Sequence, residues 1–465
     1  MDITMLLAIP FIFAAIACGV SFAKKPKVGG AVATLGVFIT LVMMFYLPLT
    51  PAYGLATTQI SQLVAMTVLI IGVLASLCSV SYMTDAKARF YPLLLVFIGG
   101  TLGLVLSQNI MMLYLFLEVA TLSSTVLIAH EGKDSYGNKG RTVDAATKYA
   151  FLNVMASVLA LIGLILIYQQ ANSFDLKAIA TAMAGAPKNL TYLISILLLI
   201  GLGTKGGLVP LHAWLPDAYG EAPTPVTIML AGAMTEVALY ALAVMLYAVI
   251  PAFSVVQYFI LLMAVLTIAV GSLLMFTEKD LKKLLAYSSI EQSGLIIFGI
   301  ALMSPLAMVG GVFQMVNHML MKSLLFICAG AIIFTVGTKK IDELSGLAKR
   351  MPVVAVGFII GFLAIAGVPP FNGFQSEYMI LQAAFNAGLG WLAAIAVVST
   401  FPMFAMYLIV MQKIFFEGAK EGAERIKVPA VFTVSIIILS LACIVIGLYP
   451  ELITKLITGS LIGGT

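Results

Sequence analysis

Seven ionisable side chains stand inside stretches of otherwise apolar sequence: Glu118, Lys148, Lys205, Glu236, Glu291, Lys322 and Glu377. His318 precedes Lys322 by four residues in NHMLMK, which puts both on one face of a helix. Carboxylates, ammonium groups and imidazoles exchange protons. Burial and the distance to an opposite charge decide which of them holds its proton, and an imidazole titrates near pH ~6.5 in water. A charge at mid-bilayer costs about 2.5–3.5 kcal/mol, so such residues face an interior, a water cavity or a partner. Taken singly, each has a plainer reading as a buried ion pair or as a side chain reaching from a span end to the surface. That reading fits Lys148 and Glu291 best, because both lie near span ends. A metal role for His318 has no second His or Cys at ligand spacing to support it.

Two of these side chains adjoin interruptions. Around Lys205 the chain reads GLGTKGGLVP, then HAWLP, with Gly206, Gly207, Pro210 and His212 close by. Before Glu377 it reads AGVPPFNGFQSE, with Pro369, Pro370 and Gly373. Glycine and proline weaken or remove backbone hydrogen bonds, and unpaired backbone at membrane depth is tolerated only beside protein or water. A broken helix next to an ionisable group, occurring twice, points to a transporter built from two repeats. The spacings agree: Lys205 to Glu377 is 172 residues, Glu118 to Glu291 is 173, and Lys148 to Lys322 is 174. An offset of five spans, an odd number, turns the second copy upside down.

Composition defines the elements that must hold these groups. Of 465 residues, 62% are hydrophobic and 10% charged, with a mean hydropathy of +1.11. Soluble chains carry about 25% charged residues, so this is an all-α polytopic membrane protein. At about 20 residues per span, apolar runs near 3–22, 28–48, 60–82, 90–108, 110–129, 147–169, 191–211, 224–249, 255–276, 284–303, 306–335, 352–382, 390–411 and 428–449 predict 14 transmembrane helices. The expected organisation is three N-terminal helices (1–89), a repeat of helices 4–8 (90–249), an inverted repeat of helices 9–13 (255–411), and helix 14 with a tail (412–465). Helices 7 and 12 are the broken ones.

Charge placement tests the count. Nineteen of the 25 Lys and Arg fall in loops after odd-numbered spans, among them Lys24, Lys25, Lys27, Lys87, Lys133, Lys139 and Lys420. The other loops and the tails hold only Lys177, Lys188 and Lys455. The positive-inside rule then places the odd loops in the cytoplasm and both termini outside. Residues 3–22 have no positive charge before them, so they read as a retained first span, not a signal peptide.

Several functions are disfavoured. Cys18, Cys78, Cys328 and Cys443 each stand alone in an apolar run, without a CxxC pair, and read as small core hydrophobes. His130, His212 and His318 are too few for a multi-haem protein. No cofactor or metal is expected in this chain, and the net charge of +5 forms no basic stripe that would bind nucleic acid.

The runs GTKGGLVPLHAWLPDAYGEAPTPVTIMLAGAMTEVALYAL (203–242), EKDLKKLLAYSSIEQSG (278–294), NHMLMKSLLFICAGAI (317–332), DELSGLAKRMP (342–352) and AGVPPFNGFQSEYMIL (366–381), with Glu118 in LFLEVATLSS, resemble a known family. It comprises the antiporter-like subunits of respiratory complex I, Mrp cation/proton antiporters and membrane-bound hydrogenases. The resemblance implies 14 helices with inverted repeats at helices 4–8 and 9–13. It also implies that Glu118 and Lys205 gate proton uptake, that His318 and Lys322 form a relay, and that Glu377 lies near the exit. Glu377 stands where many members have Lys and others Glu. Glu236 stands where many relatives have a lysine, which makes the central axis acidic. Glu291 and Gln292 replace a His-containing version common in complex I, and SIEQ and GFQSE look closer to the hydrogenase and formate-hydrogenlyase branch. With about 15 residues after helix 14 in this sequence, the long lateral helix of the largest complex I member is not expected.

The leading expectation is therefore a proton-translocating membrane subunit of a redox-driven respiratory or hydrogenase-type complex. It would use Glu118, Lys148, Lys205, His212, Glu236, Glu291, His318, Lys322 and Glu377 as the proton path. With no redox centre of its own, the chain would work inside an NADH- or ferredoxin-dependent oxidoreductase or a hydrogenase. Its expected partners are other membrane subunits, peripheral subunits with iron–sulfur or NiFe centres, lipid, H⁺ and possibly Na⁺. The expected location is a prokaryotic cell membrane. The alternatives are an Mrp-type Na⁺/H⁺ antiporter subunit and a non-conducting scaffold of a membrane arm.

Overall fold

A backbone in lipid must satisfy its hydrogen bonds within its own segment, which selects helices for an apolar chain that closes no barrel. The computed structural model describes residues 1–22, 26–83, 89–130, 139–249, 255–418 and 424–462. Lys24, Lys25, Lys87, Lys133 and Lys420 of the charge count lie outside the described residues, as do the side chains of Lys27 and Lys139. Extended backbone among the described residues is limited to isolated bridges.

The helices are α1 (Ile3–Phe22), α2 (Pro26–Tyr46), α3 (Gln59–Tyr82), α4 (Phe90–Val105), α5 (Ile110–Ile128), α6 (Lys139–Ala171), α7 (Leu176–Met183), α8 (Lys188–Lys205), α9 (Leu215–Glu221) and α10 (Thr224–Met229). There follow α11 (Thr235–Val249), α12 (Val255–Leu274), α13 (Leu281–Ala301), α14 (Pro305–Val336), α15 (Leu347–Arg350), α16 (Pro352–Ile365), α17 (Asn372–Asn386), α18 (Gly390–Met411), α19 (Ala430–Leu448) and α20 (Glu451–Ile462). A π turn, Leu230–Met234, joins α10 to α11.

Eleven helical segments among the described residues are long and apolar enough to cross a membrane. The three other expected spans fall on α4 and α16, which are apolar but shorter, and on α8, which ends at Lys205. Burial differs widely among these helices. The α13 segment has the lowest mean hydropathy of the eleven, 1.4, and is 94% buried, as is the α10–α11 segment, whereas the α18 segment is 28% buried. Helices carrying charges go inside because lipid cannot solvate them. Small residues let them approach: a Cβ on Gly100 of α4 would lie 2.9 Å from the Ala120 nitrogen of α5, and one on Gly271 of α12 would overlap the Glu291 nitrogen of α13.

Several local patterns occur twice. Helices α5 and α13 are capped by Asn109 and Asp280, 171 positions apart. Beside each cap two backbone bonds join it to a later loop: Ile110 N to Phe174 O with Leu176 N to Gln108 O, and Leu281 N to Lys339 O with Ile341 N to Lys279 O. The interruptions also match. After α8, Gly206 N and Leu208 N donate to Leu202 O and Gly203 O, and Gly207 takes φ +74. After α16, Ala366 N and Val368 N donate to Phe362 O and Leu363 O, and Gly367 takes φ +63. A left-handed residue ends a helix most readily as glycine. The breaks register at 160 positions (207 and 367), not the 172 that separates Lys205 from Glu377. Lys205 precedes its break, whereas Glu377 follows its break.

Candidate functional site

At the first break, α8 delivers Lys205 into the interior with its side chain fully buried. The ammonium donates to Thr121 Oγ1 at 2.8 Å and lies 3.3 Å from Glu118 Oε1, both on α5. Glu118 also accepts from Ser157 Oγ of α6 at 2.5 Å. A cation in the last turn of a helix meets the negative end of the helix dipole, which favours lysine over a carboxylate there. The Trp214 indole donates to Thr204 O at 2.8 Å, so one carbonyl freed by the break is satisfied. His212 stands just beyond the break, and its Nδ1 is buried with no hydrogen-bond partner.

The middle of the molecule holds Glu236 at the start of α11 and His318 on α14, both fully buried. Glu236 Oε1 lies 2.7 Å from His318 Nδ1, while Glu236 Oε2 and His318 Nε2 have no partner. Each partner of this short pair thus keeps a free position from which a proton can leave or arrive. Lys322, one turn further along α14, donates to Leu285 O at 2.7 Å and Ser288 Oγ at 2.5 Å, and Ser288 Oγ is 2.7 Å from Tyr407 OH.

Beyond this lies a network of amide, hydroxyl and carboxyl groups. Gln292 Nε2 donates to Glu291 Oε2 at 3.0 Å and to Ile365 O, the last helical carbonyl before the second break, at 3.2 Å. Gln314 bonds Gln292, Ser376 Oγ donates to Gln314 Oε1 at 2.5 Å, and Asn317 Nδ2 donates to Ser376 Oγ at 2.8 Å. Glu377 folds back onto the break, where a Cβ on Gly367 would overlap its Oε2. It also lines a cavity of about 360 Å³ among Phe374, Tyr378, Phe401 and Phe404.

Lys148 is placed elsewhere. Its side chain is 42% exposed and donates to Asp217 Oδ2 at 2.7 Å. Lys283 donates to Asp217 Oδ1 at 2.8 Å from the second half of the chain. These residues line a vestibule of about 800 Å³ with Arg141, Glu221, Glu278, Lys279, Asp280, Lys339 and Lys340. The lining comes from four separate stretches of the chain, at the start of α6, in α9, around the start of α13 and in the turn after α14, which open on one vestibule. Burial in the vestibule wall holds the Glu278 carboxyl above its ordinary range, with Asp280 and Asp217 adding to the rise and Lys283 opposing it.

The structure thus gathers Glu118 with Lys205, Glu236 with His318, and Glu291 with Gln292, and it puts Lys148 in the vestibule. Sequence reading singled out Gln292 beside Glu291 but passed over Asp217, Glu221, Lys339, Thr121, Ser157 and Gln292's partners Gln314, Asn317 and Ser376. Asp217 carried a usable signal: it lies ten residues after Gly207, as Glu377 lies ten after Gly367. The neutral polar residues carried none, because Ser, Thr and Asn inside a helix most often bond their own backbone.

Residues 107–403 match the family described as NADH:quinone oxidoreductase/Mrp antiporter, TM. The chain is 31% identical over 382 residues to NADH-quinone oxidoreductase subunit N of Desulforudis audaxviator, covering 78% of this chain and 75% of that one. It is 30% identical over 446 residues to hydrogenase-4 component B of Escherichia coli, covering 88% of this chain and 64% of that one. Among solved structures, a chain of the membrane-bound sulfane sulfur reductase, an archaeal respiratory membrane complex, superposes with a TM-score of 0.85 at 27% identity, over 98% of this chain and 96% of that one. The chain therefore belongs to the NADH:quinone oxidoreductase/Mrp antiporter family and is one of its multi-pass, antiporter-like membrane subunits.

Proposed function

We propose that this chain moves protons across a prokaryotic cell membrane as one subunit of a redox-driven complex of the hydrogenase type. The observation that carries this reading is a pair of contacts between proton-exchanging groups on inner helices, the ammonium–carboxylate contact Lys205–Glu118 and the buried imidazole–carboxyl contact His318–Glu236. On this reading the chain makes 14 spans, with both termini outside. Residues 90–249 and 255–411 form inverted repeats flanked by 1–89 and 412–465. The doubled break and the doubled cap-to-loop bonds support that division. The vestibule is the uptake mouth on the cytoplasmic face, which its loops' positive charges favour, and Glu377 is near the exit.

Energetics ask for an outside drive. Moving one charge across ~150 mV costs about 3.5 kcal/mol. Parting a Glu–Lys pair from about 4 to 8 Å at an effective dielectric near 20 changes its energy by roughly 2 kcal/mol. One pair switch is too weak, so several act together and the driving energy enters from partner subunits. Those partners are other membrane subunits and peripheral subunits with iron–sulfur or NiFe centres. This chain itself holds no cofactor.

The test is gentle extraction through a tag on this chain and mass spectrometry of what accompanies it. Subunits carrying nickel or iron–sulfur centres are expected. Recovery of small hydrophobic antiporter subunits alone overturns the redox-driven reading in favour of an Mrp-type Na⁺/H⁺ antiporter. The acidic Glu236 at the centre favours that second reading. Sodium-dependent transport that disappears in Glu236→Gln would establish it.

A further inference from the structure

Lys339, in the turn after α14, carries its ammonium into a group of oxygens on the vestibule wall. It donates to Gly220 O at 2.8 Å and lies 3.2 Å from Glu221 Oε1 and 3.0 Å from Asp280 Oδ2. Gly220 and Glu221 end α9, whereas Asp280 caps α13, so the cluster ties the two halves of the chain together. Asp280 Oδ1 is engaged by Lys282 N at 2.9 Å and Lys283 N at 3.3 Å, which turns its other oxygen toward Lys339. Lys339 is 3% exposed and Glu221 7%. Glu221 also lines the vestibule, yet its Oε2 is buried with no hydrogen-bond partner.

An ammonium has three directed donors, and here at least three oxygens already face it. The spare Glu221 oxygen is left over. Two carboxyl groups and a backbone carbonyl thus converge on one ammonium. A spherical cation has no directed donors and draws on every oxygen in reach, and carbonyl and carboxylate oxygens are the ligands that hard cations take.

We propose that Gly220 O, Glu221 and Asp280 form a monovalent-cation site that the chain fills with its own lysine. Its ligands are Na⁺, K⁺ or a small primary ammonium. The tethered Lys339 ammonium keeps alkali cations out of this wall of the vestibule. The proposal rests on the vestibule's geometry and is independent of what the chain transports.

The test compares thermal unfolding of the full-length chain in detergent for wild type, Lys339→Met and Lys339→Arg. Each is measured in sodium, potassium, methylammonium or choline chloride at equal ionic strength. Lys339→Met is expected to gain a few degrees, saturably, in at least one of the first three salts and nothing in choline. A ligand well above its Kd stabilises by that order. Wild type and Lys339→Arg are expected to show no cation-specific gain. The double variant Glu221→Gln, Lys339→Met is expected to lose the response. If Lys339→Met unfolds in choline, the readout becomes its folded yield on extraction, which sodium, potassium or methylammonium must restore. An equal response in choline, the same gain in wild type, or no recovery in any of the three salts overturns the proposal.

Discussion

The two helix breaks share a backbone and differ in chemistry. At the first, the charge precedes the turn: Lys205 ends α8, bonded to Thr121 and facing Glu118. At the second, the same position relative to the turn is Ile365, whose carbonyl accepts from the Gln292 amide. The ionisable group there is Glu377, ten residues past Gly367 and folded back onto it. Asp217 holds that later position in the first half, but α9 is only seven residues long and carries it to the vestibule instead. A broken helix therefore offers a slot that a side chain can enter from either side. The helix dipole suits the cation to the end of the first half-helix, while a glycine without a Cβ makes room for a carboxylate at the turn.

The largest expected effect comes from emptying the first slot. Lys205→Ala should lower proton translocation in assembled complexes by more than about tenfold, or ~1.4 kcal/mol on the barrier. Vesicles that pump normally with this variant would leave the scaffold reading in place. A matched pair of glycine variants sharpens the contrast. Gly207→Ala and Gly367→Ala each force a left-handed residue and should each cost about 1–2 kcal/mol of stability. In Gly207→Ala the new Cβ meets Leu215, while in Gly367→Ala it overlaps the Glu377 carboxylate. Translocation should fall several-fold further in Gly367→Ala than in Gly207→Ala, and equal losses would mean that Glu377 does no work at the break.

A smaller effect is expected for Gln292→Leu. It leaves Glu291 and the Ile365 carbonyl without their shared donor and should lower stability by about 1–3 kcal/mol, read by thermal unfolding in detergent. The smallest concerns the vestibule. A carboxyl whose folded pKa is raised is destabilising once ionised. Wild type therefore loses stability as pH rises through the ordinary carboxylate range toward Glu278's elevated value. Glu278→Gln should remove that part of the acid-side slope and change nothing below it. An unchanged slope would show that the unfolded chain shields Glu278 equally.

Much of this molecule was legible before any coordinates. Apolar runs predicted helices that the structure places where expected, because backbone in lipid has little alternative. Lys205, Glu236, His318 and Lys322 stood out because a charge inside such a run needs a reason. What the sequence concealed was partnership. Nothing in the spacing of Glu236 and His318 announces a 2.7 Å contact, and nothing in Lys148 foretells Asp217 instead of the buried axis. Nor did the 172-residue offset reveal that the breaks register at 160, since the loops between the matched helices differ in length. Residue type and local apolarity were sufficient to say which groups are costly to bury. Only tertiary packing, which brings distant helices within hydrogen-bonding distance, decided which of those costs are shared between two groups and which atoms are left without a partner.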